Sequence, residues 1–312
     1  MRFSIIFLSL LLSLPLPLVA AESSTNNSAT EKSETANANK NQQQQNGDKK
    51  QAQKKQTTTS EIAAPVDSFE QQKSDINHYL SKEKIKPVLV GIDDYTTLIE
   101  TNNSANAKGV MILIPDWQQS AVTPKALNYL RSQLPEQGWT TIAVHPPKKP
   151  DNYPSKAINL TEREQENSKT LKSYQESFAK LITQISDKAS EYPGIIVMVV
   201  EGHNAPLLVN IYQQSDIEKP AAVIMLSGHL STEKDNIAAA KNLSQTDLAV
   251  LDLWLKRDHP LVASSAKLRK KWVNQMLKIN YRQKQLNNFN SSYYPNKLLV
   301  REISGWLKSL GW

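Results

Sequence analysis

The chain reads as an α/β domain on a mostly parallel central sheet with helices on both faces, preceded by 65 residues of different character. Three observations lead there. Short apolar runs alternate with helical periodicity from Phe69 to the end. The central runs, such as GVMILI (109–114) and IIVMVV (195–200), are apolar at every position, as strands buried on both faces are. The run VLVGIDDYTTLIE (88–100) turns at Asp93-Asp94, which predicts an antiparallel opening hairpin.

The first 21 residues have the layout of a secretory signal peptide: Arg2, an apolar run from Ile5 to Val19, then Val19-Ala20-Ala21. Pro15, Pro17 and the short run argue against a spanning helix, so the mature chain is expected to lack a transmembrane segment and to be periplasmic or secreted. Residues 22–65 are mostly Asn, Gln, Lys, Ser, Thr and Glu, with a few alanines, a single isoleucine and no aromatic. Such a tract cannot bury enough apolar surface to offset its ordering entropy, and it reads as a disordered linker. Its lysines, Lys49, Lys50, Lys54 and Lys55, are compatible with an anionic polymer or membrane surface, although their spread favours a solubilising tail. The folded domain is expected over residues 66–312. The absence of cysteine removes disulfides, thiolate nucleophiles and Cys-ligated zinc. A net charge of +7 without a nucleic-acid motif gives no reason to expect a nucleic-acid partner.

Within the domain, the strand at 109–116 is followed by Thr123-Pro124, an N-cap with proline at the first helical position, and by Leu127, Leu130 and Leu134 at helical spacing. WTTIAVHPP (139–147) is the next strand. A long helix follows, with a capping box at Thr161 and Glu164 and a face through Leu171, Tyr174, Phe178, Leu181, Ile185 and Ala189. After the 195–200 strand comes a polar corner and a helix through Leu207, Leu208 and Ile211. Strands at 221–230 and 248–260, a short helix near 235–242, a helix at 263–277, a last strand at 278–286 and an amphipathic helix at 297–310 complete the series.

The corner itself is Gly202-His203-Asn204-Ala205-Pro206, between a strand and a helix. With the hairpin and the strand–helix order, it resembles the nucleophile elbow of the α/β-hydrolase superfamily, G-x-S-x-G. YRQKQL (281–286) and REISGWLKSLGW (301–312), with the secreted layout, resemble more narrowly the bacterial domain-of-unknown-function family 3530. The superfamily resemblance implies a Ser nucleophile at the elbow, an acid after the penultimate strand and a histidine after the last.

Asn204 stands at the expected apex; it suits a positive φ there but offers no nucleophilic oxygen. Asp258 holds the acid position, and its alternative role is a loop salt bridge or helix cap. No histidine follows His259, so the base is missing. The oxyanion donors are expected from Ala205 N–H and from the loop after Pro115, where Asp116 and Trp117 stand. His145, His203, His229 and His259 each end a strand at the carboxyl edge, where α/β folds place ligand sites. No H-E-x-x-H spacing accompanies them, so neither a metal site nor a cofactor is assigned. Ser227, with His229 or His203 as base, is the one candidate for a relocated nucleophile. The sequence therefore favours an exported hydrolase-like chain with a degenerate triad, acting as a binding or interaction module. Its cleft is expected from Asp116, Trp117, His203, Asn204 and His229, and its partner to be a small molecule or envelope component. An active esterase-like hydrolase with a rearranged site and a structural envelope protein are the alternatives.

Overall fold

A computed structural model describes residues 65–91 and 93–312. The expected leader and nearly all of the expected linker lie outside the described residues. The elements are α1 (Ser68–Tyr79), β1 (Ile85–Val90), β2 (Asp93–Glu100), β3 (Gly109–Ile114), α2 (Ala126–Gln133), β4 (Trp139–Val144), α3 (Leu160–Ala189), β5 (Ile195–Glu201), α4 (Asn204–Gln214), β6 (Ala222–Leu226), α5 (Glu233–Gln245), β7 (Ala249–Leu255), α6 (Pro260–Gln275), β8 (Tyr281–Leu286) and α7 (Asn296–Ser309). They form one eight-stranded sheet in the order β1-β2-β4-β3-β5-β6-β7-β8. The β1–β2 and β2–β4 pairs are antiparallel, and every pair from β4 to β8 is parallel.

Because successive strand side chains face opposite sides, β5 divides its apolar residues between two cores. Met198 and Val200 join the core made with α3, α4 and α5, including Phe178, Leu208 and Leu243. Val197 and Val199 join the other, with Leu127 and Leu130 of α2 and Leu299, Ile303 and Trp306 of α7. Both faces of the sheet are covered, as the all-apolar strands require.

Several boundaries differ from the sequence expectation. The helix α1 was not anticipated, because only Ile76 of its twelve residues is buried and no apolar stripe marks it. Thr123-Pro124 does not begin α2; the Thr123 hydroxyl accepts the Ser120 N–H at 3.0 Å, and the helix starts at Ala126. The cap of α3 is Asn159, whose Oδ1 accepts from Thr161 and Glu162, rather than a Thr161–Glu164 box. His259 caps α6 with Pro260 at its first turn, so that helix starts three residues early. The last strand begins at Tyr281 because residues 278–280 are spent in the turn.

One buried ion pair ties the carboxyl-edge loops to this framework. Asp252 of β7 is fully buried, and Arg269 of α6 is 3 % exposed. Arg269 Nε and Nη2 donate to the two Asp252 oxygens at 2.7 and 2.9 Å. Its Nη1 donates to the carbonyl of Gly228, in the loop after β6, at 2.7 Å. Tyr281 and Gln283 of β8 also donate to Asp252, at 2.6 and 2.9 Å. Removing one partner of such a pair leaves an uncompensated buried charge. Asp252→Asn is expected to destabilise the fold by about 3–5 kcal/mol in urea unfolding. A loss of less than about 1 kcal/mol would show that Arg269 does not depend on this carboxylate.

Candidate functional site at the carboxyl edge

The corner after β5 is built differently from the sequence expectation. Gly202 takes the left-handed conformation, with φ +61°, and is the true apex of the turn. Asn204 is not at positive φ; it is the first residue of α4. It does not line the cleft either, being fully buried. Its Oδ1 accepts the Tyr174 hydroxyl at 2.8 Å, and its Nδ2 donates to the Pro115 carbonyl at 2.8 Å. Asn204 thus ties α3 and the β3 loop to α4 from beneath.

No side chain fits at the apex. A Cβ on Gly202 would stand 2.4 Å from Asp116 Cγ and 2.7 Å from its Oδ1. Glycine is required by both the backbone angle and that approach. The intruding group is the carboxylate of Asp116, which follows β3. Its Oδ1 accepts the N–H of Trp117 at 2.9 Å and the N–H of His203 at 2.9 Å. Those two donors come from the residue after the apex and from the β3 loop, the two sources of an oxyanion hole in this architecture. The expected Ala205 N–H is not one of them; it turns back toward the Gly202 carbonyl at 3.4 Å.

His203 completes the enclosure. Its Nδ1 lies 3.0 and 3.2 Å from the Asp116 oxygens, which assigns the proton to Nδ1. Burial alone would raise the Asp116 pKa, but the His203 hydrogen bonds and charge outweigh it and hold the carboxyl below its ordinary 3.8. Trp117 stacks on the His203 ring at 4.3 Å and 19°, and His229 tilts against it at 4.4 Å. His203 Nε2 is left 3.4 Å from the Ser231 hydroxyl.

Asp258 does not meet an imidazole. Ser227, at φ +51° after β6, donates its hydroxyl to Asp258 Oδ2, and Tyr294 OH stands 2.7 Å from that hydroxyl. Asp258 Oδ1 accepts the His259 N–H at 2.8 Å. Its role is to anchor loops after β6 and β7. The expected base of Ser227 is also engaged elsewhere: His229 Nδ1 lies 3.0 Å from the Ser227 carbonyl, leaving Nε2 toward the cleft. Tyr294 occupies the segment after β8 where the resemblance implied a histidine.

The structure brings Asp116, Trp117, His203, His229, Ser227 and Asp258 to one cleft of about 460 Å³. His259 stacks on His229 at 4.9 Å. His145 lies apart, buried against Phe69 at 4.7 Å, with both ring nitrogens unpartnered among the described residues. It borders a larger cavity of about 1100 Å³ shared with Tyr95 and Tyr174. Among the described residues no group of three His, Asp or Glu side chains is arranged to hold a metal ion. Sequence reading missed Gly202 as the apex, Ser231 and Glu201. The available signal was the glycine itself, the one residue of the corner that adopts a left-handed turn at no cost.

The topology, the covered sheet and the carboxyl-edge cleft define an α/β-hydrolase fold. Solved structures agree. The chain resembles Est1E from Butyrivibrio proteoclasticus at 10 % identity and a TM-score of 0.51, covering 72 % of this chain and 98 % of that one. It resembles esterase 2 from Thermogutta terrifontis at 11 % identity and a TM-score of 0.52, over 74 % and 96 % of the two chains. A dienelactone hydrolase from Anabaena variabilis matches at 14 % identity and a TM-score of 0.50, over 72 % and 96 %. No curated protein matches. The chain belongs to the family described as protein of unknown function DUF3530, whose model matches residues 4–309.

Three buried groups, two at the cleft and one beside the larger cavity, set an acid-side stability profile. Burial, then the Asp116 charge, pushes the carboxyl of Glu201 up to about 7. Burial pushes His229 and His145 down to about 4. A depressed histidine costs stability as pH falls from about 6.5 to about 4, because the unfolded chain takes the proton first. The raised Glu201 acts in the opposite direction, adding stability as pH falls from about 7 to its ordinary 4.5. Two histidines against one carboxyl leave a net loss on acidification. Glu201→Gln removes the opposing member, so thermal unfolding between pH 6.5 and 4.5 should show an acid-side slope roughly twice that of the unmodified chain. An unchanged slope would contradict the assignment of Glu201.

Proposed function

We propose that this chain is an exported, non-hydrolytic binding protein on the α/β-hydrolase fold, using the carboxyl-edge cleft to hold a polar small molecule or the polar part of an envelope component. The observation that carries the reading is the Asp116 carboxylate, which sits on the N–H groups of His203 and Trp117 and closes the space above Gly202. A tetrahedral oxyanion needs those donors free, and an internal carboxylate of the same sign already holds them. The apex bears no side chain to form an acyl intermediate. The chain's first 21 residues support export. What remains in the cleft is recognition chemistry. His229 is neutral at pH 7 with a ring nitrogen free to accept, while Ser231 and the Lys125 rim offer donors.

A second reading rests on one specific feature. Ser231 Oγ, His203 Nε2, His203 Nδ1 and Asp116 stand in the order of a Ser-His-Asp relay, at 3.4 and 3.0 Å. One structural neighbour is an esterase by name and another a dienelactone hydrolase, which agrees with an ester as the substrate of such a relay. The relay lacks a free oxyanion hole, because its acid is the group filling it. That deficiency places it second.

A fluorophosphonate probe separates the two. The binding reading predicts no stoichiometric labelling and no turnover of short p-nitrophenyl esters. Covalent labelling mapped by mass spectrometry to Ser231, and lost in His203→Ala, would put the relay first.

A further inference from the structure

Opposite the cleft, at the amino edge of the sheet, the turn between α6 and β8 carries an inverted surface. Met276, Leu277 and Ile279 are 51, 82 and 93 % exposed. Lys278, set between them, turns inward and donates to the Thr246 carbonyl. A turn in water ordinarily does the reverse, burying apolar side chains and presenting the lysine. Leu277 also holds φ +52°, a conformation that glycine or asparagine adopts far more readily. The backbone is thus set in an unfavourable angle that leaves a leucine in solvent.

The chain segment that carries this tip bears charge of one sign only; the acidic neighbour it meets from another element, Asp247 beside Lys278, is paired with Lys219 at 2.9 Å. From His259 to Arg301 the chain runs 43 residues without an Asp or Glu, yet carries nine Lys or Arg. Three are used within the fold: Arg269 on Asp252, Lys284 on Glu302, and Lys278 on the Thr246 carbonyl. Lys267, Lys270, Lys271 and Arg282 are exposed, and none forms a salt bridge among the described residues. Lys267, Lys270 and Lys271 stand at i, i+3 and i+4, so they share the outward face of α6, the helix that leads into the apolar tip.

Three occupants suit parts of this surface. Basic residues on an edge strand discourage strand pairing between molecules, and this accounts for Arg282 and Lys284 on β8 but not for α6 or the tip. A soluble polyanion suits the lysines and leaves Leu277 and Ile279 without a partner. A bilayer with anionic headgroups satisfies both, because apolar side chains enter the headgroup–acyl boundary while lysines stay at the charged surface. We propose that the α6–β8 turn is a peripheral docking site for an anionic lipid bilayer, with Met276, Leu277 and Ile279 inserting and Lys267, Lys270 and Lys271 binding headgroups. The parallel strands place the cleft at the opposite edge of the sheet, so a docked molecule turns its cleft away from the bilayer. This assignment is independent of what the cleft binds.

The test is flotation of the chain beginning at Glu22 with vesicles of phosphatidylcholine alone or with about one-third phosphatidylglycerol. Starting there removes the apolar leader, which would itself partition into lipid. The expected result is at least roughly tenfold tighter binding to the anionic vesicles, falling with added salt. Leu277→Gly with Ile279→Ser should lose about tenfold; glycine suits the φ at 277, so this variant keeps its fold. Lys267→Ser with Lys270→Ser and Lys271→Ser should lose a similar factor and most of the salt dependence. No flotation of the unmodified chain overturns the proposal. So does flotation of the Leu277/Ile279 variant equal to that of the unmodified chain, because the contact would then be with charge alone.

Discussion

A single carboxylate oxygen organises the carboxyl edge of this fold. Asp116 Oδ1 accepts the N–H groups of Trp117 and His203 and faces the His203 ring nitrogen, all within 3.0 Å. The donors converging on this largely buried oxygen compensate the loss of its hydration, and the hydrogen bonds and charge of His203 hold the carboxyl below its ordinary value despite that burial. The geometry of everything nearby follows. Gly202 must lack a side chain, Trp117 must lie flat on His203, and the Nε2 of His203 is directed toward Ser231. In an esterase of this architecture the same two backbone donors wait for charge that develops during reaction. Here the charge is permanent and belongs to the protein.

Two further devices hold that arrangement in place. Asn204 fastens α4 to both Tyr174 and the Pro115 carbonyl, so the loop bearing Asp116 cannot withdraw without breaking a buried hydrogen bond. On the other side of the cleft, Arg269 couples Asp252 of β7 to the Gly228 carbonyl, fixing the loop that presents Ser227 and His229. The cleft is consequently formed by loops whose backbones are pinned from below. Rigid support of this kind suits recognition of a defined ligand, because little ordering remains to be done on binding.

Much of the architecture was legible in the sequence. All-apolar runs such as residues 109–114 and 195–200 can only be strands covered on both sides. The antiparallel opening hairpin was also legible, but it turns at Gly91, at φ +65°, and the expected turn residues Asp93-Asp94 begin β2, paired with Val90 and Leu89. The helix α1 was not legible, since one buried isoleucine gives no periodicity. In the site, the strand-end positions of Asp116, Trp117, His203 and His229 did converge on one cleft. The reading of Asn204 as an exposed apex failed. Alignment to a motif counts residues, whereas the turn is set by where the chain can reach positive φ, and Gly202 reaches it first. The capture of two backbone N–H groups by Asp116 leaves no mark in the sequence, because backbone donors exist at every position and only the fold aims them.

The central claim is that Asp116 is held as a buried anion by the donors of an oxyanion pocket. The side-chain carboxyl carbon of Asp116, followed by 13C NMR against pH and assigned by its loss in Asp116→Asn, reports that state directly. The account predicts an inflection below the ordinary value of 3.8, with the resonance in its ionised position throughout the neutral range. An inflection at or above 3.8 would mean that burial outweighs the three donors, and one within or above the neutral range would mean that the pocket holds no permanent charge.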